Sequence, residues 1–273
     1  MKSNVIPGFG PTLGVTLFYI GLVVLIPLSA LVLRAAGLGW DAFTHAAFAP
    51  RVMAAYRLSF GAALIAAAAN IILGLLIAWV LVRYRFPGRR LVDAIVDLPF
   101  ALPTSVAGIA LTSLYAAKGV LGGALAHLGV KVAYTPAGVV VAMAFIGLPF
   151  VVRAVQPVLQ DIDPEIEDAA TSLGANRIAT FRRVLLPIIL PALVSGFAMA
   201  FARGLGEYGS VIFIAGNFPG VSEIAPLLIV TRLEQFDTAG ATAIAAVILA
   251  AAFLMLLVIN TLQKWHARRF AGG

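Results

Sequence analysis

The residues of this chain that could do chemistry are concentrated in one polar stretch, DPEIEDAATSLGANRIATFRRVLLPIILP, residues 163–191. Five of the twelve acids, Asp161, Asp163, Glu165, Glu167 and Asp168, fall within eight positions, and Arg177, Arg182 and Arg183 follow them. Carboxylates at the start of a helix favour the positive end of its dipole. Asp163 before Pro164 makes a good N-cap, with proline at the first helical position. The spacing predicts a helix running to about Leu173 and stopped at Gly174, which tolerates a left-handed C-cap. A second helical piece then carries the arginines toward an apolar run that opens at Leu186 and Pro187. Ala169 and Ala170 are small enough for a groove on another protein to close around the helix. The chemistry on offer is recognition of a soluble partner. A charged interfacial helix with no partner satisfies the same residues.

Catalytic constellations are missing from the sequence. There is no cysteine, so there is no disulfide, thiolate metal site or thiol nucleophile. His45, His127 and His266 are scattered, without ligand spacing. No H-E-x-x-H run or Ser-His-Asp context occurs, and no metal site is expected. The run G-x-x-x-x-G-K-[ST] is also absent, so the chain is expected to carry no ATP site of its own and to be no enzyme.

The elements that must position the polar stretch are membrane spans. Of 273 residues 62% are apolar and 11% charged, and the mean hydropathy is +1.02. A soluble domain is about half apolar and a quarter charged, so this chain lacks the polar surface to coat a globule. Apolar stretches approach or exceed the roughly 18 residues that cross about 30 Å of hydrocarbon as helix. They predict six spans, 12–33, 58–82, 95–117, 137–155, 190–214 and 241–262, in one membrane domain covering 1–273. The stretches are continuously apolar and do not alternate with period two, which favours helices over a barrel. The first is longer than a signal-peptide core and has no convincing cleavage site after it, so it is read as a retained span.

Charge gives the orientation. With both termini, the 83–94 loop and the 153–189 segment, which includes the coupling stretch of about 161–189, on one side, that side holds twelve cations: Lys2, Arg83, Arg85, Arg89, Arg90, Arg153, Arg177, Arg182, Arg183, Lys264, Arg268 and Arg269. The other side holds six: Arg34, Arg51, Arg57, Lys118, Lys131 and Arg232. The positive-inside rule makes the first side cytoplasmic. The net charge of +7 therefore reports topology. No basic stripe interleaved with aromatics points to nucleic acid. Trp40, Phe43 and Phe48 suit the outer headgroup level, and Trp79, Tyr84 and Trp265 the inner one.

Three features lie within the expected spans. Gly204, Gly206 and Gly209 spell G-x-G-x-x-G inside an apolar stretch, where no strand precedes them, so a dinucleotide site is not expected. Glycines there allow a kink or the close approach of a second helix. Arg203 and Glu207, four apart, share a helix face and either line a translocation path or tie the helix to a neighbour. Pro99 and Pro103 interrupt the third span, as a packed kink or as a hinge at a gate. Asp93 and Asp97 at its entrance are within local reach of Arg89 or Arg90.

The run Asp168-Ala169-Ala170, Gly174 after three more residues, then Val184, Leu186 and Pro187, resembles the EAA motif of the membrane subunits of ATP-binding-cassette importers. Asp stands for the motif's Glu and Val for its Ile. In that family the segment forms the coupling helix that docks into a cleft on the cytoplasmic ATPase. Longer runs, RYRFPGRRLVDAIVDLPFALPTSVAGIAL (83–111), FARGLGEYGSVIFIAGN (201–217) and VSEIAPLLIVTRLEQFDTAGATAIA (221–245), are similar to the T-type permease subunit of bacterial sulfate/thiosulfate importers. The molybdate permease is similar over the first two runs and less so over the third.

The resemblance implies an all-α, type I importer permease in the bacterial inner membrane, moving sulfate or thiosulfate inward by alternating access. It implies ATPase coupling through Glu167, Asp168, Ala169, Ala170, Gly174, Leu186 and Pro187, and a path or gate at Pro99, Pro103, Arg203, Gly204, Gly206, Glu207 and Gly209. The implied partners are a second homologous permease subunit, two ATPase subunits that use ATP and Mg, and a periplasmic sulfate/thiosulfate-binding protein, with no cofactor held by this chain. The other readings are a molybdate or tungstate importer of the same class, or a gradient-driven transporter or channel needing no ATPase.

Overall fold

The computed structural model describes residues 9–270, with the side chains of Asn260 and 262–270 excepted. Among the described residues every regular element is helical. The chain opens with α1 (Phe9–Ile20), a π turn at Gly21–Leu25, α2 (Ile26–Ala36) and α3 (Trp40–Ala47). Then come α4 (Pro50–Arg83), α5 (Arg89–Val96), α6 (Leu98–Ala101), α7 (Thr104–Tyr115), α8 (Val120–His127) and α9 (Pro136–Asp161). The polar stretch forms α10 (Pro164–Ser172) and α11 (Arg177–Thr180), and a second π turn at Phe181–Leu185 leads into α12 (Leu186–Leu205). The chain closes with α13 (Val211–Ala215), α14 (Ala225–Glu234) and α15 (Thr238–Phe270).

Five helical stretches are long and apolar enough to cross a membrane: Phe9–Ala36, Pro50–Arg83, Pro136–Asp161, Arg177–Leu205 and Thr238–Ile259. A sixth crossing is available only if α7 and α8, bent by 41° to one another, act as one span. The expected third span, 95–117, is therefore not a single helix. The chain breaks at Asp97 and again at Leu102, which is extended before Pro103 as a residue preceding proline prefers. What remains, α7, has 12 residues, or roughly 18 Å, against about 30 Å of hydrocarbon. The fifth span also differs from 190–214. It starts at Arg177 and ends at Leu205, nine residues before the expected end.

The core is a triangle of α4, α9 and α12, lined on α4 by Ala62, Ala63, Ala66 and Ala67 and on α9 by Val151, Val152 and Val155. Without a hydrophobic force between helices in lipid, close packing of small residues holds such a core. At Gly196 of α12 a methyl group would lie 2.9 Å from the Cα of Val151, so only glycine lets the two backbones meet there. Asn70, buried on α4, donates Nδ2 to the carbonyl of Ala144 at 3.0 Å. Leu64, Ile72, Leu76, Leu254 and Leu257 are exposed, as lipid-facing side chains are. The first span stands apart. No residue of α1 is buried, and the main contacts with the rest of the fold run from α2 and α3 to α15, with a smaller one from α3 to α4.

The charges segregate by end. One end carries α10 with Arg83, Asp93, Asp97 and Arg153; the other carries a local tie, Arg232 to Asp237 at 3.0 Å, and a long-range one, Arg51 to Glu223. In the latter, Arg51 Nε and Nη2 donate at 2.8 and 2.7 Å to the buried Glu223 carboxylate, clamping the start of α4 to the loop before α14. Lys2 lies outside the described residues, and so do the side chains of Lys264, Trp265, His266, Arg268 and Arg269.

Candidate functional site

The polar stretch folds as its residue types dictate. Asp163 is extended, and its Oδ1 accepts the Glu165 amide at 3.0 Å, which caps α10. Leu173 ends the helix, and Gly174 adopts φ +84. The Gly174 amide donates to the Thr171 carbonyl at 2.9 Å and the Ala175 amide to the Ala170 carbonyl at 3.0 Å. These two bonds are the Schellman pattern, which satisfies the last helical carbonyls. Asn176 then caps α11, its Oδ1 accepting the Ala179 amide at 2.8 Å.

Several side chains fix this hairpin to the membrane helices. Arg83, the last residue of α4, pairs with Glu167 of α10. Its guanidinium carbon lies 5.3 Å from the Trp79 ring centre, and Trp79 meets Phe181 edge-on at 5.8 Å. Trp79 is thus engaged in packing where the sequence suggested an aromatic at the headgroup level. The hairpin is joined inward at two places: through Glu167 and Arg83 to α4, and through the Phe181–Leu185 turn to α12. A cavity of about 630 Å³ lies between them, lined by Trp79, Glu167, Asp168, Asn176, Arg177 and Phe181 among others.

The rest of α10 faces outward. Asp168 and Ala169 are exposed, but Ala170 is buried against its own chain, so only one of the two alanines is presented to a partner. Leu186 and Pro187 are half-buried at the start of α12. Sequence reasoning missed two apolar tips. Leu173 is 89% exposed and Ile178 70% exposed, both on the polar hairpin. Each interrupts a charged segment, which was the available signal. It missed Arg83 and Trp79 as well, because nothing local marks a tie 84 positions away.

The second cluster forms where α12 ends. Leu205 is its last residue, and Gly206 continues with φ −88, so G-x-G-x-x-G straddles the end of the span: Gly204 lies in the last helical turn, and Gly206 and Gly209 lie in the loop that follows. Glu207, almost fully buried, accepts from Arg203 Nη1 at 2.6 Å, and from the Ser210 amide and Ser210 Oγ at 2.9 Å each. Gly204 makes ordinary contacts with Met143 and Ala63, and Gly206 has room around it. Gly209 is different: a methyl group there would lie 2.1 Å from Thr104 Oγ1. The start of α7, just after Pro103, therefore docks on the 206–210 loop. Pro103, Glu207 and Gly209 come together in this seam. Pro99 sits apart on α6, which packs on α9 with Phe100 edge-on to Phe150 at 5.0 Å.

Asp93 and Asp97 do not pair with Arg89 or Arg90. Both are taken by Arg153 of α9. Its Nε and Nη2 donate to Asp97 Oδ1 and Oδ2 at 2.9 and 2.6 Å, its Nη1 donates to Asp93 Oδ1 at 2.6 Å, and its Nη2 also donates to the Asp93 carbonyl at 2.9 Å. A planar fork satisfies two carboxylates at once, which flexible neighbours on the same helix cannot.

A small-residue helical core, a span broken beside a glycine loop and a capped helical hairpin at one end make up a type I importer permease fold, shared with solved ATP-binding-cassette transporters. Two solved structures of a bacterial importer of the acidic polysaccharide alginate share the fold. One has TM-score 0.73 at 17% identity, covering 94% of each chain. The other, in complex with an alginate pentasaccharide-bound periplasmic protein, has TM-score 0.71 at 20% identity, covering 95% of this chain and 93% of that one.

The chain belongs to the family described as binding-protein-dependent transport system inner membrane component, which matches residues 70–272. It is 51% identical over 271 residues to the sulfate transport system permease proteins CysT of Salmonella typhimurium and Escherichia coli, covering 99% of this chain and 98% of each relative. The Synechocystis protein of the same name is 48% identical over 257 residues, covering 94% of this chain and 90% of that one.

Proposed function

We propose that this chain is the membrane-spanning subunit of an ATP-driven importer that carries sulfate and thiosulfate from periplasm to cytoplasm. The observation that carries the reading is 51% identity over 99% of the chain to permeases named for sulfate transport. The α10–α11 hairpin is the surface on which the ATPase acts. Glu167, Asp168, Ala169, Gly174 and the exposed tips Leu173 and Ile178 form or shape that surface, and Leu186 and Pro187 pass its motion to α12.

Both termini lie in the cytoplasm with the hairpin. The working assembly adds a second homologous permease, two ATPase subunits that use ATP and Mg, and a periplasmic binding protein for the anion. This chain binds no cofactor. Closure of the ATPases moves α10, α4 and α12 follow, and the seam between the 206–210 loop and α7 opens to one side or the other. Arg203 carries positive charge beside that seam, with its partner Glu207 keeping it from holding an anion too tightly to release.

Co-purification and anion competition test this. The tagged chain, expressed with its candidate partners, is expected to retain the ATPase subunits through detergent extraction. Excess unlabelled sulfate or thiosulfate is expected to suppress uptake of labelled sulfate, and molybdate to leave it unchanged. ATP-driven uptake of labelled molybdate with none of sulfate transfers the assignment to a molybdate importer. Uptake without any ATPase bound refutes the class.

A further inference from the structure

The α5–α6 segment (89–101) is held to the rest of the protein in an unusual way. It is hinged at both ends: Gly88 has φ +84 before α5, and Leu102 and Pro103 are extended after α6. Within it only Val96 is buried. Leu91, Ile95, Leu98 and Phe100 are all exposed. Its main polar tie to the core is the Arg153 fork, which takes the carboxylates of Asp93 and Asp97 and the Asp93 carbonyl. Gln156, one turn further along α9, accepts from the same guanidinium at 2.5 Å and so orients it. The three charged side chains are 32–47% exposed, so water can replace the fork's bonds when it opens. A segment with little apolar burial and a solvent-reached polar tie belongs to the low-stability part of a fold, from which moving elements are drawn.

The geometry points to Arg153 as a positioning residue for transport: a latch that holds α5–α6 against α9 in this conformation and releases it once per cycle. The segment leads directly through Pro103 to α7, whose first residue, Thr104, seats on Gly209. Releasing the latch frees the chain that closes the seam. The inference rests on the reading of the chain as an ATP-driven importer subunit. It goes beyond that reading in naming a moving element away from the ATPase-facing hairpin, and the residue that governs it.

The chain has no cysteine, so a pair can be introduced without background from this subunit. Phe100→Cys with Phe150→Cys joins α6 to α9 at an aromatic contact and leaves Arg153, Asp93 and Asp97 in place. The complete importer, in liposomes with the binding protein and ATP, is bridged by a short bis-methanethiosulfonate, which forms a reducible mixed disulfide with each cysteine and releases a sulfinate at each, and labelled sulfate uptake is measured before bridging, after it, and after reduction. Bridging should lower uptake about tenfold or more and reduction should restore it, as expected when an obligatory conformational step is blocked. Undiminished uptake by the bridged protein overturns the latch.

A second variant covers the case in which the cysteine pair does not assemble. Asp97→Asn removes one charge and keeps the shape. It should lower sulfate moved per ATP hydrolysed by about fivefold at unchanged assembly, the signature of a gate no longer timed to the cycle. An unchanged ratio overturns the latch. Absence of ATP-driven uptake from the unmodified importer would refute the importer reading, which separates the two failures.

Discussion

Arg83 and Glu167 form an ion pair between the last residue of α4 and the first turn of α10, joining the hairpin to the core helix that packs on both α9 and α12. Both side chains are under one-third exposed, and the guanidinium also lies over Trp79. The pair fixes the angle between the surface helix and the longest membrane helix. In the proposed coupling, it is the point where a push on α10 would become a tilt of α4.

Arg83→Ala is therefore expected to reduce sulfate transported per ATP about tenfold while costing only about 0.5–1 kcal/mol of stability, the usual worth of a partly exposed pair. Exchanging the charges, Arg83→Glu with Glu167→Arg, should recover part of the loss. Uptake and hydrolysis measured on the same vesicles give the ratio. An unaltered ratio in Arg83→Ala would show that the pair is only a surface tie.

Gly174 has φ +84 and open space around it. A substitution there meets no neighbour, so the cost is backbone strain alone, about 1–2 kcal/mol for a β-branched residue. Gly174→Val should leave the protein in the membrane but uncouple ATP hydrolysis from uptake. Gly174→Asn, which tolerates the left-handed region, should keep most of the coupling. Equal behaviour of the two variants in a coupled assay would remove the turn from the account.

Glu207 is the buried half of its pair, and it also holds Ser210 by two bonds. Glu207→Ala leaves Arg203 without its carboxylate and the Ser210 hydroxyl without an acceptor. Breaking a buried pair costs about 3–5 kcal/mol. Arg203 is 36% exposed, which reduces the loss here to about 2 kcal/mol. Thermal unfolding in detergent should show the drop, with Glu207→Gln losing less because it still accepts from Ser210. Full insertion and transport by Glu207→Ala would make the pair dispensable.

Glycines of the seam should separate by contact. At Gly108 a methyl group would lie 2.5 Å from the Ser210 carbonyl oxygen and 2.8 Å from its Cα, both backbone atoms that cannot turn away. At Gly204 the nearest atom is 3.5 Å off, an ordinary contact inside a helix. Gly108→Ala should lower the melting temperature, and Gly204→Ala should hold or raise it, gaining up to about 1 kcal/mol of helix propensity. The reverse order in a thermal-shift series would contradict the packing of α7 on the 206–210 loop.

The elements legible in the sequence were those set by local chemistry. Asp163, Pro164 and Gly174 specify a capped helix without reference to anything distant, and α10 forms between them. Long apolar runs specify α4, α9, α12 and α15 by length alone. In the third span Pro99 and Pro103 mark an interruption, but a kink and a full break look alike in sequence, and the chain breaks at both Asp97 and Leu102. The fifth was read too long because apolar residues resume in α13 after a loop that only close packing against Thr104 makes necessary. Arg153 with Asp97, and Arg51 with Glu223, were invisible because partners 56 and 172 positions apart leave no periodicity to read.

The most direct test of the central claim, that α10 couples this permease to an ATPase, is uptake of labelled sulfate into liposomes holding the complete importer, with ATP hydrolysis recorded in parallel. The account predicts uptake that requires ATP and the binding protein, and that is lost in Gly174→Val while hydrolysis continues. Uptake by this chain alone without ATP, or undiminished coupled uptake in Gly174→Val, would contradict it.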